Sequence, residues 1–94
     1  MIDYTRLLLD RLGTGEEQAR TAKEIGLNPR HIRSLVNRLR KQGYQICSGD
    51  KGYWLAETDE EVERTCRILQ SKALDLMKAS NAMKRGRIDG QISV

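Results

Sequence analysis

The sequence predicts an α+β fold that is mainly helical, with a small β-hairpin and one long C-terminal helix. One segment has apolar residues at i, i+3, i+4 and i+7, the spacing of a helix with a single buried face. These residues are Ile32, Leu35, Val36 and Leu39. Two short alternating stretches flank a run of turn residues at 48–52, which predicts a hairpin over 45–55. A capping box of Thr58 and Glu61 begins a helix that continues to about residue 85.

These elements divide the chain, whose 94 residues suit one domain with a modest core. Residues 1–57 hold the short helices and the hairpin, and residues 58–85 form the long helix. A helix of that length spans roughly 40 Å, which is too long for so small a domain to cover fully. The glycine-containing tail, 86–94, is expected to be loose.

Local signals set the bounds of the first two helices. Asp3 can cap a first helix, which the glycine-containing segment 13–15 ends. A short extended piece at 19–20 follows. Thr21 then forms a capping box with Glu24, because the Thr21 hydroxyl accepts from the Glu24 N–H while the Glu24 carboxylate reaches back. Gly26, which is free to adopt a left-handed conformation, ends this second helix.

The next helix, predicted over 29–42, is the most basic element of the chain. Asn28 is a good N-cap, Pro29 suits the first helical position, and Gly43 ends the helix. The face opposite the buried stripe holds polar residues in one row. These are Arg30, Ser34, Asn37 and Lys41, and they are flanked by His31, Arg33, Arg38 and Arg40.

The charges are segregated along the chain. No acidic residue occurs from Ile25 to Gly49, whereas the acids gather between 57 and 63. The formal net charge is only +4, so its distribution is more informative than its total. A cationic helix beside a turn-rich hairpin is typical of a surface that binds a polyanion, and duplex DNA is the one we expect.

The aromatic residues of the hairpin alternate between its two faces. Tyr44 shares a face with Ile46, and Tyr53 shares one with Leu55, so both tyrosines are expected in the core. Trp54 points to the opposite side. We expect the final helix to cover it, and stacking on nucleic acid is the alternative.

The composition offers little for catalysis or metal binding. His31, the one histidine, lies in a stretch without acids, so a catalytic pair is lacking. Cys47 and Cys66 are too few and too far apart for a zinc site and are expected as free thiols. The chain has no phosphate-binding glycine motif, no apolar run of membrane-spanning length and no secretory signal. We therefore expect a cytoplasmic protein that is not an enzyme, with no metal, cofactor, small-molecule ligand or membrane partner.

The order of helix, short strand, short helix, basic helix and hairpin resembles the winged helix-turn-helix family. Residues 21–28 (TAKEIGLN) are similar to its second helix and turn. Residues 32–40 (IRSLVNRLR) with 43–46 (GYQI) resemble its recognition helix running into the wing, and residues 52–55 (GYWL) resemble the strand that leaves the wing. The similarity covers about residues 4–56. It is closest to the N-terminal domain of biotin-operon-type repressors and to small winged-helix proteins of prophages of Gram-positive bacteria.

The resemblance implies a bacterial or prophage transcriptional regulator that binds specific sequences of double-stranded DNA. Helix 29–42 would enter the major groove, and hairpin 45–55 would act as the wing, with Lys51 at the backbone or minor groove. The wing departs from the family in being short and carrying a single cation. The long final helix stands where biotin-type repressors have their ligase domain, so no biotin chemistry is implied.

Base edges and phosphates are expected to have different partners on this surface. The polar row from Arg30 to Lys41 can read bases, since arginine suits guanine and asparagine suits adenine. Residues at the start of the short helix can hold phosphates, although Thr21 already serves as a cap. The expected DNA-binding residues are Arg20, Thr21, Lys23, Asn28, Arg30, His31, Arg33, Ser34, Asn37, Arg38, Lys41 and Lys51. The alternative is an ordinary solvated helix face, which would normally mix charges of both signs.

The long helix carries a second pattern, an apolar seam whose spacing alternates between four and three residues. Its members are Val62, Cys66, Leu69, Ala73, Leu76, Ser80 and Met83. Large residues occupy one seam position and small residues the other. The helix ends have opposite charge, which favours an antiparallel partner and predicts a homodimer through this helix. The alternative is that the seam packs on its own domain.

Two other functions are compatible with the same residues. A protein-interaction adaptor would bind a partner through the long helix, and its basic face would be incidental. A binder of structured RNA would use the basic face on a different polyanion. Salt-dependent binding to DNA separates a DNA-binding protein from the adaptor. Competition with duplex DNA separates a DNA-binding protein from a binder of structured RNA.

Overall fold

The computed structural model describes residues 2–86 and confirms the α+β class with the predicted order of elements. Its helices are α1 (Tyr4–Arg11), α2 (Ala22–Ile25), α3 (Pro29–Lys41) and α4 (Asp59–Arg85). Its strands are β1 (Ile46–Gly49) and β2 (Gly52–Leu55). A 3₁₀ turn over Glu16–Gln18, which no pattern in the sequence predicts, lies between α1 and α2. The tail that the sequence predicts to be loose lies, from residue 87 onward, outside the part of the chain that the structure describes.

The predicted helix signals are confirmed. Asp3 accepts bonds from the backbone N–H groups of the first turn of α1. Thr21 and Glu24 form the reciprocal capping box of α2, and Gly26 ends that helix in the left-handed conformation, at φ 83°. The Asn28 Oδ1 atom accepts from the Arg30 N–H at 2.8 Å and so begins α3. Each bond satisfies a donor that a helix end would otherwise leave free.

The core lies between α1, α2, α3 and the first strand. The apolar stripe of α3 is fully buried there, which is why the opposite face of the helix is left to solvent. The core residues are Leu8, Leu12, Ile25, Ile32, Leu35, Val36, Leu39 and Ile46. Tyr53 packs against this cluster, as expected.

The hairpin is tighter than predicted. Strands β1 and β2 are antiparallel, and Gly49 pairs with Gly52, so the turn is reduced to Asp50 and Lys51. On its other edge β2 is bonded to the segment before α2. The Leu55 N–H donates to the Gly13 carbonyl at 2.8 Å, and the expected extended piece near residue 20 bridges to β2 as well. Strand β2 therefore joins the hairpin to the N-terminal part of the chain.

The expectation that Tyr44 packs in the core is wrong. Strand β1 begins at Ile46, two residues later, and the Tyr44 side chain is 46% exposed. The backbone is turning at this point, because the Tyr44 N–H still donates to the Leu39 carbonyl at the end of α3. The strand alternation assumed for Tyr44 and Ile46 therefore does not apply.

The Glu61 carboxylate connects α4 to the rest of the domain. Its Oε1 atom accepts from the Glu16 N–H at 3.1 Å and from the Trp54 indole N–H at 2.7 Å. Its Oε2 atom accepts from the Glu57 N–H and the Thr58 N–H, both at 2.9 Å. The expected capping box is thus present, and the expectation that α4 covers Trp54 is confirmed, since that side chain is buried.

The bonds to Glu61 change its acidity. Burial raises the pKa of the Glu61 carboxyl, but the donors from Glu57, Trp54 and Thr58 outweigh burial and hold the pKa below its ordinary value of 4.5. A carboxyl with a lowered folded-state pKa stabilises the fold at pH values above its unfolded pKa. That contribution is lost as the pH falls through the lower, folded-state pKa.

We expect Glu61→Gln to destabilise the protein at pH 7 and to flatten its loss of stability in acid. The amide keeps one acceptor oxygen, but its NH₂ group would replace the other. The N–H donors that bind that second oxygen in the unmodified protein would lose their partner. Urea unfolding at pH 7 and at several values below 4.5 measures both effects. Glu63, two residues further along α4, is exposed and provides the control Glu63→Gln. Equal acid curves for the two variants would contradict the role of Glu61.

Glycine is required at position 52 for two reasons. Its φ is +117°, a conformation that L-residues rarely adopt. A Cβ atom there would also overlap the Arg20 carbonyl oxygen. The close approach follows from the bridge beside it, in which Tyr53 and Arg20 exchange two backbone bonds of 2.8 and 2.9 Å.

We expect Gly52→Ala to cost more stability than Gly43→Ala. Gly43 also has a positive φ, +101°, but a Cβ atom there would lie in open space. Gly43→Ala should therefore cost only the conformational term of roughly 1–2 kcal/mol. Gly52→Ala should cost a further roughly 1–3 kcal/mol, because the backbone at Arg20 has to move. Denaturant unfolding gives the difference, and equal losses would show that the overlap is relieved without cost.

Helix α4 extends well beyond the domain that holds its first turns. Only Glu61 and Thr65 of its 27 residues are buried. The Cα radius of gyration is 17.2 Å, compared with about 12–13 Å for a compact chain of this length. The alternative, in which the seam packs on its own domain, therefore does not apply beyond the first turns of α4. Within residues 2–86, no helix is both long enough and apolar enough to cross a membrane.

Candidate nucleic-acid interface

The outer face of α3 is an exposed polar row, as the helix period predicts. Arg30, Ser34, Asn37 and Lys41 are all exposed. They lie along roughly 16 Å of helix, from the first turn to the last. The buried stripe on the other side of the helix fixes the rotation of α3, so this row cannot turn inward.

The residues that flank the row differ in their solvent exposure and in their contacts with the rest of the domain. Arg33 and Arg38 are exposed on either side of it. His31 is half-buried, and its ring meets the Tyr4 ring edge-on with the centroids 4.8 Å apart. His31 therefore helps to pack α1 against α3 while its remaining surface borders the row.

Arg40 belongs to the fold and not to the exposed row. Its Nε–H group donates to the Ile46 carbonyl at 2.8 Å, and its Nη2 group donates to the Ser48 hydroxyl at 3.1 Å. Burial lowers the pKa of the guanidinium. The helical pattern in the sequence predicts Arg40 among the cations of a free basic face. The structure corrects this, because Arg40 ties the hairpin to the last turns of α3.

The polar residues around α2 mostly have structural partners. The Thr21 hydroxyl accepts from the Glu24 N–H at 3.2 Å, and Asn28 caps α3. Arg20 lies 3.9 Å from the Glu24 carboxylate in an exposed ion pair, which is a weak interaction in water. Lys23 is exposed and remains the freest cation of the α2 group.

Lys51 lies at the tip of the hairpin and is exposed in the two-residue turn. The hairpin is held to α3 through the Arg40 bonds to β1, and to the segment before α2 through the bridge between Tyr53 and Arg20. The position of Lys51 relative to α3 is therefore set by packed, hydrogen-bonded segments rather than by a free loop.

Within residues 2–86 the cations of α3 have no acidic partner. Among residues 2–86 the ion pairs are Arg20 with Glu24 and Arg64 with Glu16, and neither involves α3. Arg30, Arg33, Arg38 and Lys41 therefore present their charge to solvent. An exposed helix whose charges are all positive and unpaired is suited to binding phosphates.

The predicted dimerisation residues lie along α4 with increasing exposure toward its end. Val62 is half-buried beside the domain, and Cys66 is exposed with a free thiol. Leu69, Leu76 and Met83 are 39%, 71% and 80% exposed. Ala73 and Ser80 between them are exposed as well. Residues 2–86 provide no second surface that covers this seam.

Comparison of the chain with protein-family models, with curated proteins and with solved structures finds no match in any of the three. The interpretation of this surface therefore depends on its own geometry and charge. The described part of the chain also holds no group of three or more histidine, cysteine or acidic side chains placed to bind a metal ion.

Proposed function

We propose that this chain is a sequence-specific double-stranded DNA-binding protein, a winged helix-turn-helix regulator of bacterial or prophage transcription. The observation that supports this proposal most is the exposed row on α3, which lies in a segment without acids. Its cations have no acidic partner among residues 2–86. Ordinary solvated helix faces mix both signs of charge. The second supporting observation is the order of the elements around that row. This order resembles that of the winged helix-turn-helix family.

Helix α3 has the size and side chains for the major groove. The groove of B-DNA is about 12 Å wide and admits one α-helix. Arg30 in the first turn suits the acceptors on guanine, and Asn37 suits the donor and acceptor pair on adenine. Both side chains point away from the core, so they can reach base edges without disturbing the fold.

Phosphate contacts fall to the residues around α3. Arg33 and Arg38 border the row, Lys23 lies on α2, and Lys51 lies at the hairpin tip. Arg20 can join them by releasing its weak ion pair with Glu24. Such contacts position a protein on the duplex without reading its sequence. Because Lys51 is the single cation of the wing, the wing contributes a small share of the binding energy.

The proposed regulator is a homodimer through α4 and acts in the cytoplasm. Two copies related by a two-fold axis would present two α3 helices, which suits an operator with paired half-sites. The exposed apolar residues of α4 support the dimer, since a helix with this face in water gains from a partner.

An interaction adaptor is the second candidate, and the same exposed face of α4 favours it. In that case α4 would bind another protein and the α3 row would have no ligand. The two functions separate in one measurement, because only the DNA-binding protein retains a salt-dependent affinity for duplex. Competition between duplex DNA and a structured RNA tests the remaining alternative.

We expect the affinity for mixed-sequence duplex DNA to fall steeply with salt. Each phosphate that a cation neutralises adds about −0.9 to the slope of log affinity against log salt. Arg33→Gln should therefore make the slope shallower by about that amount. Arg67 is an exposed arginine on α4, so Arg67→Gln is the matched control and should leave the slope unchanged. A flat titration of the unmodified protein at low salt would overturn the proposal.

We expect base-reading and anchoring residues to respond differently to substitution. Arg30→Ala and Asn37→Ala should each reduce the preference for the selected site by roughly 1–3 kcal/mol, since each removes a bidentate base contact. Lys51→Ala should weaken all sequences alike. Binding of each variant to a randomised duplex library measures both effects. A uniform loss for all three would show that α3 does not read the groove.

A further inference from the structure

The exposed seam of α4 is continuous with a groove on the domain of the same chain. The groove lies between the start of α4 and β1, has a volume of roughly 280 Å³ and is mainly apolar. Tyr44, Ile46 and Cys47 line one side, and Val62, Cys66 and Leu69 line the other. The seam residues on that second wall are followed along α4 by Leu76 and Met83, which are exposed. One apolar surface thus runs from the domain to the end of the helix.

Charge favours a second copy of this chain as the partner of that surface. The first turns of α4 hold Asp59, Glu60, Glu61 and Glu63. From residue 70 to its end the helix holds Lys72, Lys78, Lys84 and Arg85, with Asp75 as its single acid. An antiparallel copy places the basic half of each helix beside the acidic start of the other. A parallel copy places like charges together at both ends.

Side-chain size favours the same arrangement. The seam alternates large residues (Leu69, Leu76, Met83) with small ones (Cys66, Ala73, Ser80). In a parallel pair in register, equal positions meet, so large residues crowd each other and small ones leave gaps. In an antiparallel pair each small residue meets a large one. The seam then has an even thickness and the helices pack without voids.

We propose that two copies pair through antiparallel α4 helices, with the C-terminal end of each helix seated at the groove walled by Tyr44 on the other copy. This proposal deepens the homodimer of the proposed function and depends on it. The layers are Cys66 with Met83, Leu69 with Ser80, and Ala73 with Leu76, each pair joining the two copies. The two-fold axis crosses α4 between residues 74 and 75.

The arrangement accounts for the exposure of Tyr44. This side chain is 46% exposed on the groove wall, close to the end of α3. In the dimer it covers the Met83 end of the second copy. Large aromatic side chains at such positions contribute strongly to binding interfaces. The dimer contact thus includes a residue adjacent to the DNA-facing helix, outside α4 itself.

Sedimentation of the full chain at tens of micromolar tests the association. We expect a dimer for the unmodified protein and a monomer for Leu76→Arg. Leu74 is also exposed, at 56%, but lies off the seam, so Leu74→Arg is the matched control and should remain dimeric. Tyr44→Ala should raise the dissociation constant about tenfold. A monomeric unmodified protein, or equal behaviour of the two leucine variants, would overturn the proposal.

Oxidative cross-linking tests the direction of the helices. Cys66 is exposed and Cys47 is buried, so Cys66 is the thiol that reports on the seam. We expect the unmodified protein to form no disulfide between copies, and Met83→Cys to form one with Cys66 of the other copy. A disulfide between two Cys66 thiols indicates a parallel pair and overturns the arrangement. A disulfide in Leu76→Cys but not in Met83→Cys overturns the proposed register.

Duplex binding at low salt is measured alongside, because failure of the dimer leaves DNA binding by each α3 helix intact.

Discussion

The placement of α4 depends on one carboxylate. The Glu61 side chain accepts bonds from the 3₁₀ turn through Glu16, from β2 through Trp54, and from the link before α4 through Glu57 and Thr58. Three separate segments therefore meet at a single anion. A buried anion is costly without partners, but several N–H donors replace its water, so it becomes an orienting contact. This contact and the packing of α4 on β1 together set the direction in which α4 leaves the domain.

That direction determines what the remaining surfaces can do. Helix α4 begins over Trp54 and β1, whereas the row from Arg30 to Lys41 faces solvent on α3. Arg40 shows how the cations are divided, because its bonds to β1 hold the hairpin in place and it does not add to the exposed charge. The proposed DNA-binding surface on α3 and the proposed dimer surface on α4 therefore consist of different side chains.

Local signals were sufficient for most of the elements. The capping boxes at Thr21 and Thr58 and the Asn28–Pro29 start each place a helix within a residue or two of its observed bound. Capping depends on side chains within one turn, so it can be read from adjacent positions. The error at Tyr44 has the opposite origin. Alternation was extended two residues before the strand begins, where the chain still bonds to the end of α3.

The sequence by itself determined the helices, the hairpin, the buried stripe of α3 and therefore the polar row from Arg30 to Lys41 on its outer face. These features depend on the helical period and on neighbouring residues. Tertiary structure decided the rest. Arg40 donates hydrogen bonds to Ile46 and Ser48, and Glu61 accepts one from Glu16, which is distant in the sequence. Both sets of contacts depend on which segments pack together. Contacts between residues far apart in the chain leave no periodic signal, because they are set by the packed core and not by the adjacent sequence.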